Sequence, residues 1–179
     1  MIKKKQWIVI TNCVLALLIS TLFTGCSQDK KEVNKAVTTF FSAYQKDDYR
    51  KIDRQLFSDQ LANRLNWATE KEEKEIQIVL NSNYPSDKPF ILDFDIFTSM
   101  TEGADSIQIL QTTIKTDTAW VDVLFANTLH NHTVSWKDKL VFIKRTNWKL
   151  ENIIYGETGS EFKSLQDLLE DYINAGSIY

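Results

Sequence analysis

Four aspartates and two histidines are the residues of this 179-residue chain whose types and spacing could do chemistry. Asp93 and Asp95 stand two apart among Phe90, Phe94 and Phe97. On extended backbone that spacing points both carboxylates the same way. Carboxylates buried together separate their pKa values and can supply an acid and a base. The plainer duty of such residues is to accept loop N–H groups or to stay in water. Asp122 and Asp138 fall in alternating segments, on the same faces as Trp120 and Trp136. Such a carboxylate is a base if its face is concave and dry, and ordinary surface if it is wet. His130 and His132 could share one side of a strand and hold a metal. No third ligand lies nearby, and residues 127–131 read as a turn, so no metal site is assigned. Trp67, Trp120, Trp136 and Trp148 can stack on a ligand or fill a core. The candidates for a pocket or binding surface are therefore Asp93, Asp95, Trp120, Asp122 and Trp136. No catalytic set is assigned. The chain contains no Gly-rich phosphate loop, Gly-x-Ser-x-Gly elbow or His-Glu-x-x-His helix, and no cofactor is expected.

These residues need elements to position them. Val33, Val37, Phe40, Phe41 and Tyr44 form one helical stripe. A broken helical region follows over 49–80, with Ser58 or Asp59 as a cap and Leu61, Leu65 and Ala68 on its buried side. Thr69-Glu70-Lys71-Glu72 matches a capping box that either starts a new helix or sits inside a long one. Ile76, Val79 and Leu80 give that end its apolar face. Residues 81–89 hold both prolines and read as a loop. Residues 90–100 read as an irregular strand or structured loop.

From 106 to 155 the pattern changes to strands. Ala119, Val121, Val123 and Phe125 share one face of their strand. Trp136, Asp138, Leu140 and Phe142 share one face of the next, and Trp148, Leu150, Asn152 and Ile154 complete the series. Thr116-Asp117, residues 127–131 and Thr146-Asn147 punctuate them as turns. Ser164 opens a last helix with the stripe Leu165, Leu168, Leu169, Tyr172 and Ile173, and Gly176 suits its end. Helices, a four-stranded antiparallel meander and a final helix make an α+β fold, a curved sheet with helices on its concave face.

The N-terminal segment carries a different message. Lys3, Lys4 and Lys5 precede a largely apolar run over 7–23, which leads into Leu22-Phe23-Thr24-Gly25-Cys26. A basic head, an apolar run and small residues at the exit have the logic of a signal peptide. The cysteine after Gly25 resembles the lipobox of bacterial lipoproteins, with Phe23 in place of the usual aliphatic residue. The resemblance implies cleavage before Cys26 and lipid on its thiol. It also implies a cell-envelope location outside the cytoplasm, at the outer membrane if the organism has one, because Ser27 rather than Asp follows. Residues 1–25 are then a signal peptide, 26–32 a lipidated cysteine with a polar tether, and 33–176 one domain.

From Cys26 onward the chain has 18 basic and 24 acidic residues. That balance argues against nucleic acid, whose phosphates need Lys and Arg. Cys13 lies in the segment expected to be removed. Cys26 would then be the sole cysteine of the processed chain, which leaves its domain without disulfide, thiolate metal site or cysteine nucleophile.

Helices followed by a long-stranded meander resemble the cystatin-like, nuclear-transport-factor-2-like cone. Phe40-Phe41-x-x-Tyr44, Pro89-Phe90 with the following aspartates, and Trp148-Lys149-Leu150-Glu151-Asn152-Ile153-Ile154-Tyr155 leading to Ser164-Leu165 are similar to the uncharacterised YbjP-like bacterial lipoprotein family. That family implies no activity. The cone superfamily includes isomerases and cyclases as well as binding modules, and fold does not choose among them. The expectation is a membrane-anchored envelope lipoprotein, held by lipid on Cys26, whose domain binds an envelope protein or a small apolar ligand. Two alternatives stand beside it: a small cone-fold enzyme of the isomerase or cyclase type using a buried Asp, and an immunity protein that blocks a toxin.

Overall fold

A computed structural model describes residues 27–44, 48–129, 132–156 and 161–176. The segment with Leu22, Phe23, Thr24, Gly25 and Cys26 lies outside the described residues, as does His130. The architecture is α+β. Helix α1 covers residues 27–43 and α2 covers Asp59–Leu80. Strands β1 (Ser106–Lys115), β2 (Thr118–Leu129), β3 (His132–Lys144) and β4 (Trp148–Ile154) follow, and α3 (Leu165–Asn174) comes last. The strands form one antiparallel sheet in the order β1-β2-β3-β4. No described helix is long and apolar enough to cross a membrane.

Each helix is built as its sequence directs, with two corrections. Residues 27–32, read as a polar tether, are the first turns of α1. Asp29 and Glu32 pair with Lys144 at the end of β3, and that contact draws the segment onto the sheet. In α2, Ser58 accepts from Leu61 N at 3.1 Å as the N-cap. The Thr69 box lies inside the helix, and its hydroxyl donates back to the Leu65 carbonyl at 2.9 Å. The buried stripe runs Leu61, Leu65, Ala68, Glu72, Glu75, Val79. Leu80, expected on the apolar face, is 55% exposed. Helical spacing puts the two glutamates there, and partners keep them there. Glu72 accepts from Arg50 at 3.0 Å and from Leu92 N at 2.8 Å.

The sheet buries one face against the helices. Ala119, Val121, Val123 and Phe125 of β2 are fully buried, and Trp136, Asp138, Leu140 and Phe142 of β3 join them. Bulges shift the edge strands. An extra residue at Leu110 leaves both Leu110 and Gln111 outward and returns Thr112 and Ile114 to the inner face, and an extra residue at Glu151 brings Ile153 inward and turns Ile154 outward. Simple alternation of Trp148, Leu150, Asn152 and Ile154 therefore fails after Leu150, as a bulge requires. Strand β2 continues to Leu129 and β3 opens at His132, so the 127–131 turn is narrower than its sequence suggests. Asn127 lies in the strand and donates to the Gly103 carbonyl at 2.7 Å.

Candidate functional site

The irregular segment between α2 and β1 positions the site. It has no periodicity, yet its backbone is fixed from every side. Glu72 accepts from Leu92 N, the Tyr172 hydroxyl donates to the Phe90 carbonyl, and the Tyr155 hydroxyl donates to the Ile96 carbonyl at 2.5 Å. The Trp136 indole donates to the Thr98 carbonyl at 2.6 Å, and the Tyr44 hydroxyl accepts from Ala104 N at 3.3 Å. Buried backbone groups must find partners, and here side chains from α1, α2, α3 and the sheet supply them. Ile96, Phe97 and Thr98 are consequently buried. Phe97 stacks on Phe57 at 5.7 Å between ring centres.

This fixed loop turns Asp93 and Asp95 apart, contrary to the expectation that they act as a pair. Asp93 is exposed and paired with Lys88, whose hydrogen bond holds its carboxyl below the usual range. Asp95 turns inward. It accepts from Phe97 N at 2.8 Å and from the Thr98 hydroxyl at 2.9 Å. Burial nevertheless pushes its carboxyl up to about 6, and the neighbouring charge of Asp138 adds to the rise.

Asp138 is thus the carboxylate that couples to Asp95. It is 4% exposed on the inner face of β3, opposite Val123. It accepts from Gly156 N at 2.7 Å and from the Ser99 hydroxyl. Burial lifts it also to about 6 against those two hydrogen bonds. Tyr155 completes the group. Burial raises its phenol well above the ordinary value, and the charges of Asp138 and Asp95 raise it further. Ser99 has φ 53°, a left-handed conformation that costs a non-glycine residue on the order of 1 kcal/mol.

Beside Asp95 lies an open pocket of about 320 Å³. The loop contributes Phe94, Asp95, Ser99 and Met100 to its wall. The far side comes from Tyr155, Phe162 and Leu168. A second groove of about 300 Å³ borders Asp95 and holds Arg50 and Asp93. Carboxyls that titrate near neutrality beside a partly apolar pocket are the usual material of ligand sites and acid–base sites alike.

The other sequence candidates go elsewhere. Trp120 and Asp122 lie on the outer face of the sheet, where Asp122 pairs with Lys139 at 3.5 Å. Trp136 is core, and its indole bears on the site through the Thr98 carbonyl and through Asp138, whose carboxyl it helps to lower. Trp148 is core, and Trp67 is 54% exposed on α2. His132 is exposed at the start of β3, and no metal-binding cluster occurs among the described residues. Alternation places Asp138 on the Trp136 face but does not join it to Asp95. No local spacing links Ser99, Tyr155 and Phe162 to either carboxylate. No protein-family model, curated protein or solved structure gives a significant match to this chain.

Proposed function

We propose that this chain is a lipid-anchored protein of the bacterial cell envelope whose α+β domain binds a small ligand in the pocket beside Asp95. The address rests on Lys3-Lys4-Lys5, the apolar run and Leu22-Phe23-Thr24-Gly25-Cys26. The likeness to YbjP-type lipoproteins belongs to the same proposal. The single observation that carries the binding reading is the partly buried Asp95, presented by a backbone-fixed loop on the wall of a pocket of about 320 Å³. Such a volume lies at the small end of ligand sites.

Two experiments test the two halves. Labelled fatty acid should enter the wild-type chain and not Cys26→Ser, and equal labelling of both sinks the anchor. In a fragment titration followed by amide NMR, shift changes should cluster on Asp95, Ser99, Met100, Tyr155 and Leu168. Changes confined to other surfaces would remove the pocket from the proposal.

One observation favours a second reading, an acid–base enzyme. Asp95 and Asp138 both titrate near 6, close to where a general acid or base works best. Asp93 and Asp122 drop out of that reading because both are solvated and paired. The enzyme reading requires turnover of the ligand identified for the pocket, and Asp95→Asn must abolish turnover while binding persists.

A further inference from the structure

The charge of the Asp95 pocket is one-sided. Asp95, Glu102 and Glu161 line it, and no Lys or Arg does so among the described residues. The same wall carries the rings of Phe94 and Phe162 and the thioether of Met100. Asp95 gives one acceptor position on each oxygen to the loop, to Phe97 N and to the Thr98 hydroxyl. A carboxylate has about four such positions, so capacity remains for a donor from outside.

We propose that this pocket takes a small organic cation, an ammonium or quaternary ammonium group on a compact apolar body. The proposal rests on the reading of the pocket as a ligand site and names the class of ligand. Three physical reasons converge. A cation restores to Asp95 the charge compensation that the carboxylate loses on leaving water. Aromatic faces attract cations through the ring quadrupole, and thioethers pack against methyl groups without a polar penalty. An anion is rejected by three like charges, a specificity that apolar walls alone would not give. The fold already uses this chemistry among its described residues: Lys71 lies 5.5 Å from the Phe90 ring centre and 5.3 Å from that of Tyr172, and Lys144 lies 5.6 Å from that of Trp148.

Calorimetric titration of the full chain in dodecyl maltoside, a detergent without a cation, is the test. Choline is compared with its neutral isostere 3,3-dimethylbutan-1-ol, and butylammonium with butan-1-ol. At least one cation should bind about tenfold or more tightly than its neutral partner. The exposed double variant Glu102→Gln/Glu161→Gln leaves the buried contacts of the loop untouched, and it should reduce that preference several-fold. Asp95→Asn should reduce it to about twofold or less. Glycerophosphocholine separates two sources of the same chemistry. Binding equal to choline points to a lipid headgroup, and weaker binding points to a free amine, because its phosphate meets the carboxylates. Equal or tighter binding of the neutral isosteres would overturn the cation while leaving the pocket a ligand site. If neither cations nor neutral compounds bind, the ligand-site reading fails with it.

Discussion

The Ser99 hydroxyl lies 2.9 Å from each carboxylate oxygen of Asp138, a residue 39 positions further along the chain. This contact ties a left-handed loop residue to a buried strand residue, and Gly156 N ties the end of β4 to the same carboxylate. Asp138 therefore fastens two segments that meet at the pocket. Its role as a hydrogen-bond acceptor does not require a charge. Asp138→Asn should unfold within about 1 kcal/mol of wild type at pH 7.5, or later than wild type. Asp138→Ala takes the carboxylate away from two part-buried donors, Gly156 N and the Ser99 hydroxyl, and should cost about 1–3 kcal/mol. Urea denaturation of the two variants measures the difference.

Stability should fall as pH rises from 4 to 7. Asp95 and Asp138 titrate near 6 in the folded chain and near the ordinary 3.8 when unfolded. Between those values the folded state binds more protons, so raising the pH favours unfolding. Asp48 and Asp93 are shifted the other way, and their stabilisation is lost as pH drops below about 4. With Asp95 partly open to water, the pair should account for about 1–2 kcal/mol between pH 4.5 and pH 7.5. The slope should shrink by about half in Asp138→Asn. A slope unchanged by that substitution would assign the effect to other groups.

Gly156 is where β4 leaves the sheet, pressed against β3. A Cβ at this position would collide with the Lys137 carbonyl, which is backbone and cannot swing away. Gly156→Ala should cost at least about 2 kcal/mol and break the hydrogen bond to Asp138. Gly176, with open space around its Cβ position, is the control, and its alanine variant should unfold with the wild type.

Arg50 is half-exposed, yet it faces Glu72, which is 1% exposed. Arg50→Ala leaves a buried carboxylate without its cation and should cost about 1–3 kcal/mol, less than a fully buried pair because water reaches the arginine. In a Glu72→Gln background the same change should cost less, about 1 kcal/mol or below, because only the exposed pair of Arg50 with Asp48 is then lost. A double-mutant cycle by denaturation reads the coupling directly.

Much of the architecture was legible because it rests on period. Phe125, Trp136 and Asp138 face inward as strict alternation along β2 and β3 requires. Leu165, Leu168, Leu169 and Tyr172 bury the stripe of α3 at helical spacing. Period fails where one residue is added, and the bulge at Glu151 turns Ile154 out. It also fails where a buried position is filled by charge. Glu72 hid the inner face of α2 because its partners, Arg50 and Leu92, lie 22 and 20 positions away. The site was the least legible part for the same reason. Asp95 and Asp138 each stand out by type and setting, but only the tertiary contacts of Trp136, Tyr155 and Tyr172 with the loop backbone bring them to one place. Asp93, two residues from Asp95, is turned out by the same contacts.

The carboxyl-carbon shift of Asp95, followed from pH 3 to pH 9 in the free protein and again with saturating choline or butylammonium, tests the role of this residue most directly. The expected midpoint is about 6 in the free protein, falling toward the ordinary carboxylate value when the cation binds, because a bound positive charge favours the ionised form. A free-protein midpoint near 4 that no cation moves would contradict both the desolvation of Asp95 and its place in a ligand site.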